Sequence, residues 1–155
     1  MFCLITSSFY NLSYNNFFYG NDIFIAVGNG YNLIYNNLVD WSTTTITYNI
    51  LDITVFESYF YAITSNGKII KSQGGEVWEE VTTFTNTLTS IKTLQNQMII
   101  TGNNVIIYGI EDNWNIINFN NINLINSTFV NINYIAVSDN SNILINDGII
   151  ENSYM

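Results

Sequence analysis

The sequence contains no histidine, no proline and no arginine, one cysteine and nine glycines in 155 residues. Without histidine, the commonest zinc ligands are missing, and so are imidazole-based triads and general bases. Without arginine, no side chain can grip a carboxylate or phosphate in bidentate fashion. Zero prolines and few glycines exclude a collagen-like chain. Cys3 stands alone, so no intrachain disulfide can form, and its default reading is a small buried hydrophobe. No apolar run approaches the roughly 18 residues that cross a bilayer as a helix. Met1–Thr6 is apolar but short, lacks a basic flank, and is not expected to be a signal peptide.

Charge is scarce and one-sided. Charged residues are 10% of the chain, with Lys68, Lys71 and Lys92 against 12 acidic side chains, a net charge of −9 and a pI near 4.1. A phosphate backbone or an anionic membrane needs basic clusters, so nucleic acid and membrane insertion are excluded as expectations. What remains is apolar and neutral polar. Hydrophobic residues reach 48% and aromatics 15%, enough to bury a core and too much for a disordered chain. Asn, Ser and Thr must solvate the surface, and the abundance of Asn and Ile fits an AT-rich coding bias.

An internal repeat organises the chain. Trp41, Trp78 and Trp114 stand 37 and 36 residues apart. A turn cluster recurs ahead of each at Gly28-Asn29-Gly30, Ser65-Asn66-Gly67 and Gly102-Asn103-Asn104, with a fourth at Ser138-Asp139-Asn140. The residues before the clusters agree as IFIAVG, FYAITS, QMIITG and NYIAVS. Each unit reads as four short strands. In the second, Leu51, Ile53 and Val55 alternate with polar residues, Phe60–Thr64 follows, and turns at Asn66-Gly67 and Gly74-Gly75 lead to Lys68–Lys71 and Val77–Val81. Asn-Gly and Gly-Gly between β-rich runs are hairpin signals because primed turns need φ > 0. Four antiparallel strands per unit of this length mark a β-propeller blade.

The expected fold is therefore an all-β, single-domain small propeller. Its four blades span about 9–46, 47–84, 85–119 and 120–155, with a surplus strand at 1–8. Trp41 minus one repeat reaches Leu4, and Trp114 plus one repeat reaches Ile150, so both ends carry a segment at the outer-strand phase. Phe2, Leu4 and Ile5 are candidates to close the ring by pairing near Ile149–Tyr154. If they do not, they form an exposed edge strand that pairs with another chain. An open four-blade arc completed by a second subunit is the alternative to a closed ring.

The segment from Ile70 to Glu79, with Gly74, Gly75 and Trp78, resembles the Asp-box, or bacterial neuraminidase repeat, a turn of the form S-x-D-x-G-x-x-W between a blade's last two strands. Gln73 stands where that box has Asp, and Ser72 lies one place after its Ser position. Similar blades occur in photosystem assembly-factor propellers and phage tail proteins. The resemblance implies a structural turn and a propeller fold, not an activity. Sialidase chemistry depends on an arginine cluster that this chain lacks.

The remaining candidates divide between structure and binding. The tryptophans can stack on a ligand, but at fixed phase in a blade they more often pack between blades. Glu76, Glu79, Glu80, Glu111 and Asp112 can be read as a Ca²⁺ cluster, but without a D-x-D-x-D-G loop a solvated rim is the default. Nothing selects a carboxylate pair for glycosidase work. Asp22, Asp52 and Asp139 lie near strand ends and can line one propeller face, with a turn or cap role as the default. Asn11 and Asn126 open glycosylation sequons that the abundance of Asn explains by chance. Tyr31, Tyr35 and Tyr48, in an Asn-interleaved stretch with Tyr10, Tyr14 and Tyr19, are candidate ligand contacts. No catalytic set, metal site or cofactor is expected. The expected role is a non-enzymatic structural and interaction module of a larger particle, a phage tail, baseplate or related contractile particle assembled in the bacterial cytoplasm. The expected partners are other protein subunits. The alternative is a lectin-like propeller that binds cell-surface glycans.

Overall fold

The computed structural model describes residues 13–36, 40–94, 96–111, 113–130, 133–140 and 143–146. These residues are strands and turns throughout. The strands are β1 (Tyr14–Gly20), β2 (Ile23–Asn36), β3 (Asp40–Phe56), β4 (Tyr59–Thr64), β5 (Lys68–Ser72), β6 (Glu79–Thr83), β7 (Leu88–Leu94), β8 (Gln97–Ile110), β9 (Asn113–Val130), β10 (Asn133–Ser138) and β11 (Ile143–Asn146). Two antiparallel sheets result, ordered β1-β2-β3-β4-β5-β6 and β11-β10-β9-β8-β7.

The repeat is written into the pairing. The second unit is the clearest, with residues 50–56 of β3, then β4, β5 and β6 pairing in succession. In the first unit β2 changes partner midway, from β1 over 23–28 to β3 over 29–36. In the third, β8 does the same between β7 and β9. Gly30 (φ 81°) and Asn104 (φ 59°) mark those changes at the phase of Gly67 (φ 78°) between β4 and β5. Gly67 has no substitute with a Cβ, because that atom would lie 2.1 Å from the Phe84 carbonyl oxygen. β3 and β9 each run from the outer strand of one unit straight into the inner strand of the next.

Alternation on each inner blade buries both faces. Ile25 and Val27 pack with Ile53, Phe60, Ala62 and Ile70 between the first and second units. Tyr61, Ile63 and Ile69 turn the other way, onto Ile91, Met98, Ile100 and Ile107 of the third. Ile99 and Ile106 then meet Leu124, Tyr134 and Ala136 of the fourth. The β-branched residues fit this role because they pack well on a pleated surface buried on both sides.

Two sequence expectations shift. The fourth strand of the second unit starts at Glu79, not Val77, and Val77 is exposed in the preceding turn. Asp52 is neither a turn nor a cap residue: it lies within β3 and is buried. Phe2, Leu4 and Ile5, and the pairing of 1–8 with Ile149–Tyr154, lie outside the described residues.

Candidate functional site

The innermost strand of each unit is β1, the second half of β3, β7 and the second half of β9. β1 packs beside β3, β3 beside β7, and β7 beside β9. Their edges surround one polar depression lined by Asn16, Asp52, Thr89, Lys92, Asn126 and Thr128, among others. The repeat places Asn16, Asp52 and Asn126 at the same point of β1, β3 and β9, with Ser90 at that point of β7. Each side chain accepts the N–H of the next residue: Phe17 to Asn16 Oδ1 at 2.8 Å, Ile53 to Asp52 Oδ1 at 2.9 Å, and Ser127 to Asn126 Oδ1 at 2.8 Å. Side chains bond locally in this way when Asn or Asp sits beside its own backbone.

Asp52 is the centre of this set. Its carboxylate accepts from Asn16 Nδ2 of β1, from its own neighbour Ile53, from the Ile91 N–H at 2.8 Å, and from Lys92 Nζ at 2.7 Å. Lys92 also donates to the Ile91 carbonyl at 3.1 Å. One buried carboxylate therefore ties β1, β3 and β7 together. Hydroxyls continue the series: Thr54 and Thr93 meet at 3.0 Å, Thr93 donates to the Val55 carbonyl, Thr89 donates to the Leu124 carbonyl at 2.6 Å, and Ser127 Oγ meets Ser90 Oγ at 3.2 Å.

A second cluster sits at the edge between the second and third units. Tyr61 Oη and Lys71 Nζ both donate to Glu111 Oε1 at 3.0 Å, and the Lys71 ammonium lies 5.3 Å from the Tyr59 ring centre. Burial first, then the Glu111 carboxylate, raises the Tyr61 hydroxyl above its ordinary value. The Lys71 hydrogen bond, followed by that of Tyr61, lowers Glu111. With Lys68 paired to Glu80, all three lysines of the chain are ion-paired.

The other sequence candidates are placed as follows. Gly75 donates its N–H to Ser72 Oγ at 2.8 Å, and its carbonyl accepts from Trp78 Nε1 at 3.0 Å and Asn32 Nδ2 at 2.8 Å. Gly74 lies in the same turn with open space where a Cβ would stand. Trp78 packs on the core between the first two units. Trp114 packs on the next core, edge-on to Phe84, and its N–H is buried without a partner among the described residues. The two turns differ in length: only two residues separate the β8–β9 partners Ile110 and Asn113. Trp41 is registered opposite Tyr35 between β3 and β2, and their side chains lie outside the described residues.

Tyr31 donates to the Ser13 carbonyl at 2.7 Å and meets Tyr14 edge-on at 5.4 Å, and Tyr48 packs on the first core. Of the acidic cluster, Glu76, Glu79, Glu80 and Glu111 are exposed and Asp112 lies outside the described residues; no group of three or more metal-ligating side chains forms among the described residues. Asp22 lies in the β1–β2 turn, and Asp139 follows β10 and accepts from Asn123. The Asp52–Lys92 pair was not singled out as a pair from sequence. The signal was there: they are the charged residues at inner-strand phase, about one repeat apart.

No protein-family model and no curated protein matches the chain. Solved β-propellers do match in structure. The computationally designed Ika4 protein aligns with a TM-score of 0.69 at 7% identity, over 87% of this chain and 91% of that one. The designed Ika8 protein gives the same TM-score and identity over 86% of this chain but only 45% of its own. YCF48 bound to D1 peptide aligns with a TM-score of 0.68 at 13% identity, over 96% of this chain and 54% of that one. The chain thus has the β-propeller fold, and spans about half the length of Ika8 and YCF48.

Proposed function

We propose that this chain is a non-enzymatic interaction module that works inside a larger protein assembly. The observation that carries this reading is the state of Asp52. The buried carboxylate at the centre of the inner strands is surrounded by four internal donors. A general base or nucleophile needs a free lone pair aimed at a substrate, and this carboxylate spends its own on fastening strands. The pair it forms with Lys92 is architecture. The depression around it presents amides and hydroxyls, which suit a partner's polar backbone.

A protein partner is the coarse reading. The fold neighbour YCF48 is seen bound to D1 peptide, and the complete pairing of the three lysines leaves none spare for a phosphate backbone. The finer reading is a phage tail, baseplate or similar particle, and it rests on composition: a short chain, little charge, and Asn and Ile in abundance. The tagged chain is to be recovered from host or particle lysate and its companions identified by mass spectrometry. Tail or baseplate subunits in stoichiometric amount are the expected result. Recovery of the chain alone, with a specific response on a glycan array, replaces this reading with the lectin one.

A further inference from the structure

Among the described residues, the first and fourth units each expose apolar side chains on the blade face that, in the middle units, packs against a neighbour. Register defines the equivalence. Phe17 stands opposite Ala26 as Ile53 stands opposite Ala62 and Ile91 opposite Ile100. Ile53 and Ile91 are buried at internal junctions, whereas Phe17 is 67% exposed. Tyr19, opposite Phe24, is 61% exposed, and its counterpart Val55, opposite Phe60, packs on the first core. At the other end, Ile143 stands opposite Val137 as Ile69 does opposite Ile63. Ile69 is fully buried and Ile143 is 58% exposed. Val130 and Phe56 each end an inner strand, the first 51% exposed and the second buried. Natural surfaces rarely leave such contiguous apolar faces without a partner.

Among the described residues, the two faces do not pack on each other. Three successive pairs of inner strands pack side by side, but β1 and β9 have no comparable contact.

We propose that a second copy of this chain completes the ring. The Phe17–Tyr19 face of each copy seats on the Val130–Ile143 face of the other, in two identical junctions about a two-fold axis. Each copy carries both halves in equal number, so a closed dimer leaves no face open. A blade face of four strands, each about six residues long, measures roughly 19 by 20 Å, or about 380 Å². Two such junctions approach the ~800 Å² per partner of a stable interface.

Sedimentation equilibrium of the full chain tests this, separately from which assembly it serves. The expected mass is twice 17.7 kDa. Phe17→Glu and Ile143→Glu, each placed in both junctions, are expected to weaken the dimer about 100-fold or more, with the β circular dichroism unchanged. Mixing the two variants is expected to restore dimers, because one junction per mixed pair stays intact. If Phe17→Glu disturbs the fold, Tyr19→Lys replaces it. A wild type that stays monomeric at every concentration overturns the proposal. So does a dimer indifferent to both faces, or a polymer that lengthens with concentration.

Discussion

Replacing Asp52 by Ala is expected to be the most damaging single polar substitution in the inner strands. It leaves the N–H groups of Ile53 and Ile91 without an acceptor in residues that are 1% and 0% exposed. Each orphaned buried donor costs about 1–3 kcal/mol. The Lys92 side chain is 29% exposed, so its ammonium regains water and adds less than a fully buried partner would. The Asn16 amide lies at the depression and also resolvates in part. The expected loss is therefore about 3–4 kcal/mol, a large share of the roughly 5–15 kcal/mol that holds a domain. With a urea slope of about 2 kcal/mol/M, the midpoint should fall by about 1.5–2 M. Lys92→Met leaves the carboxylate with three N–H donors and should cost only about 1–2 kcal/mol. Equilibrium unfolding in urea, followed by tryptophan fluorescence and circular dichroism, measures both. A loss below about 1 kcal/mol for Asp52→Ala, or an equal or larger loss for Lys92→Met, refutes the view that the carboxylate acts chiefly through backbone N–H groups.

Three further outcomes are expected. Trp78→Phe should destabilise more than Trp114→Phe by about 1 kcal/mol, since the first loses a bond to Gly75 and the second removes a buried N–H that has no partner; unfolding midpoints of the pair check this. Gly67→Ala should cost at least the ~1–2 kcal/mol of a left-handed alanine, plus the clash with Phe84, while Asn104→Gly at the same phase relieves a left-handed backbone but removes the acceptor of the Ile122 N–H, and should have the smaller effect in a thermal melt. For pH, the Glu111 carboxyl is lowered, so its contribution is complete above the ordinary value of 4.5 and disappears as pH falls through the lowered one. The Tyr61 hydroxyl is raised, so its contribution is complete below 10.0 and declines as pH rises past it. Lys71→Met should weaken the protein at pH 7 but not at acid pH, and Tyr61→Phe should flatten the alkaline limb of a stability–pH profile.

The repeat, the strand order within a unit and the turn positions were legible in the sequence because they are local. Period-two alternation, Asn-Gly turns and tryptophans at fixed phase each act over a few residues. The start of β6 was misplaced because Val77 and Trp78 look like strand residues, and only the turn held by Ser72, Gly75 and Asn32 shows that they belong to it. Trp78 and Trp114 share a phase but not a hydrogen bond among the described residues, and their turns differ in length.

By itself the sequence determined an all-β chain of repeated four-stranded units, poor in charge and without the side chains of most catalytic chemistries. Tertiary structure decided which residues of different units meet. Asp52, Ile91 and Lys92 lie about one repeat apart and come together only when inner strands pack side by side. Phe17 and Ile143 look like core residues by pattern, and the structure leaves both exposed. A blade's pattern says that a face is apolar; only the packing of the units says which such faces are covered.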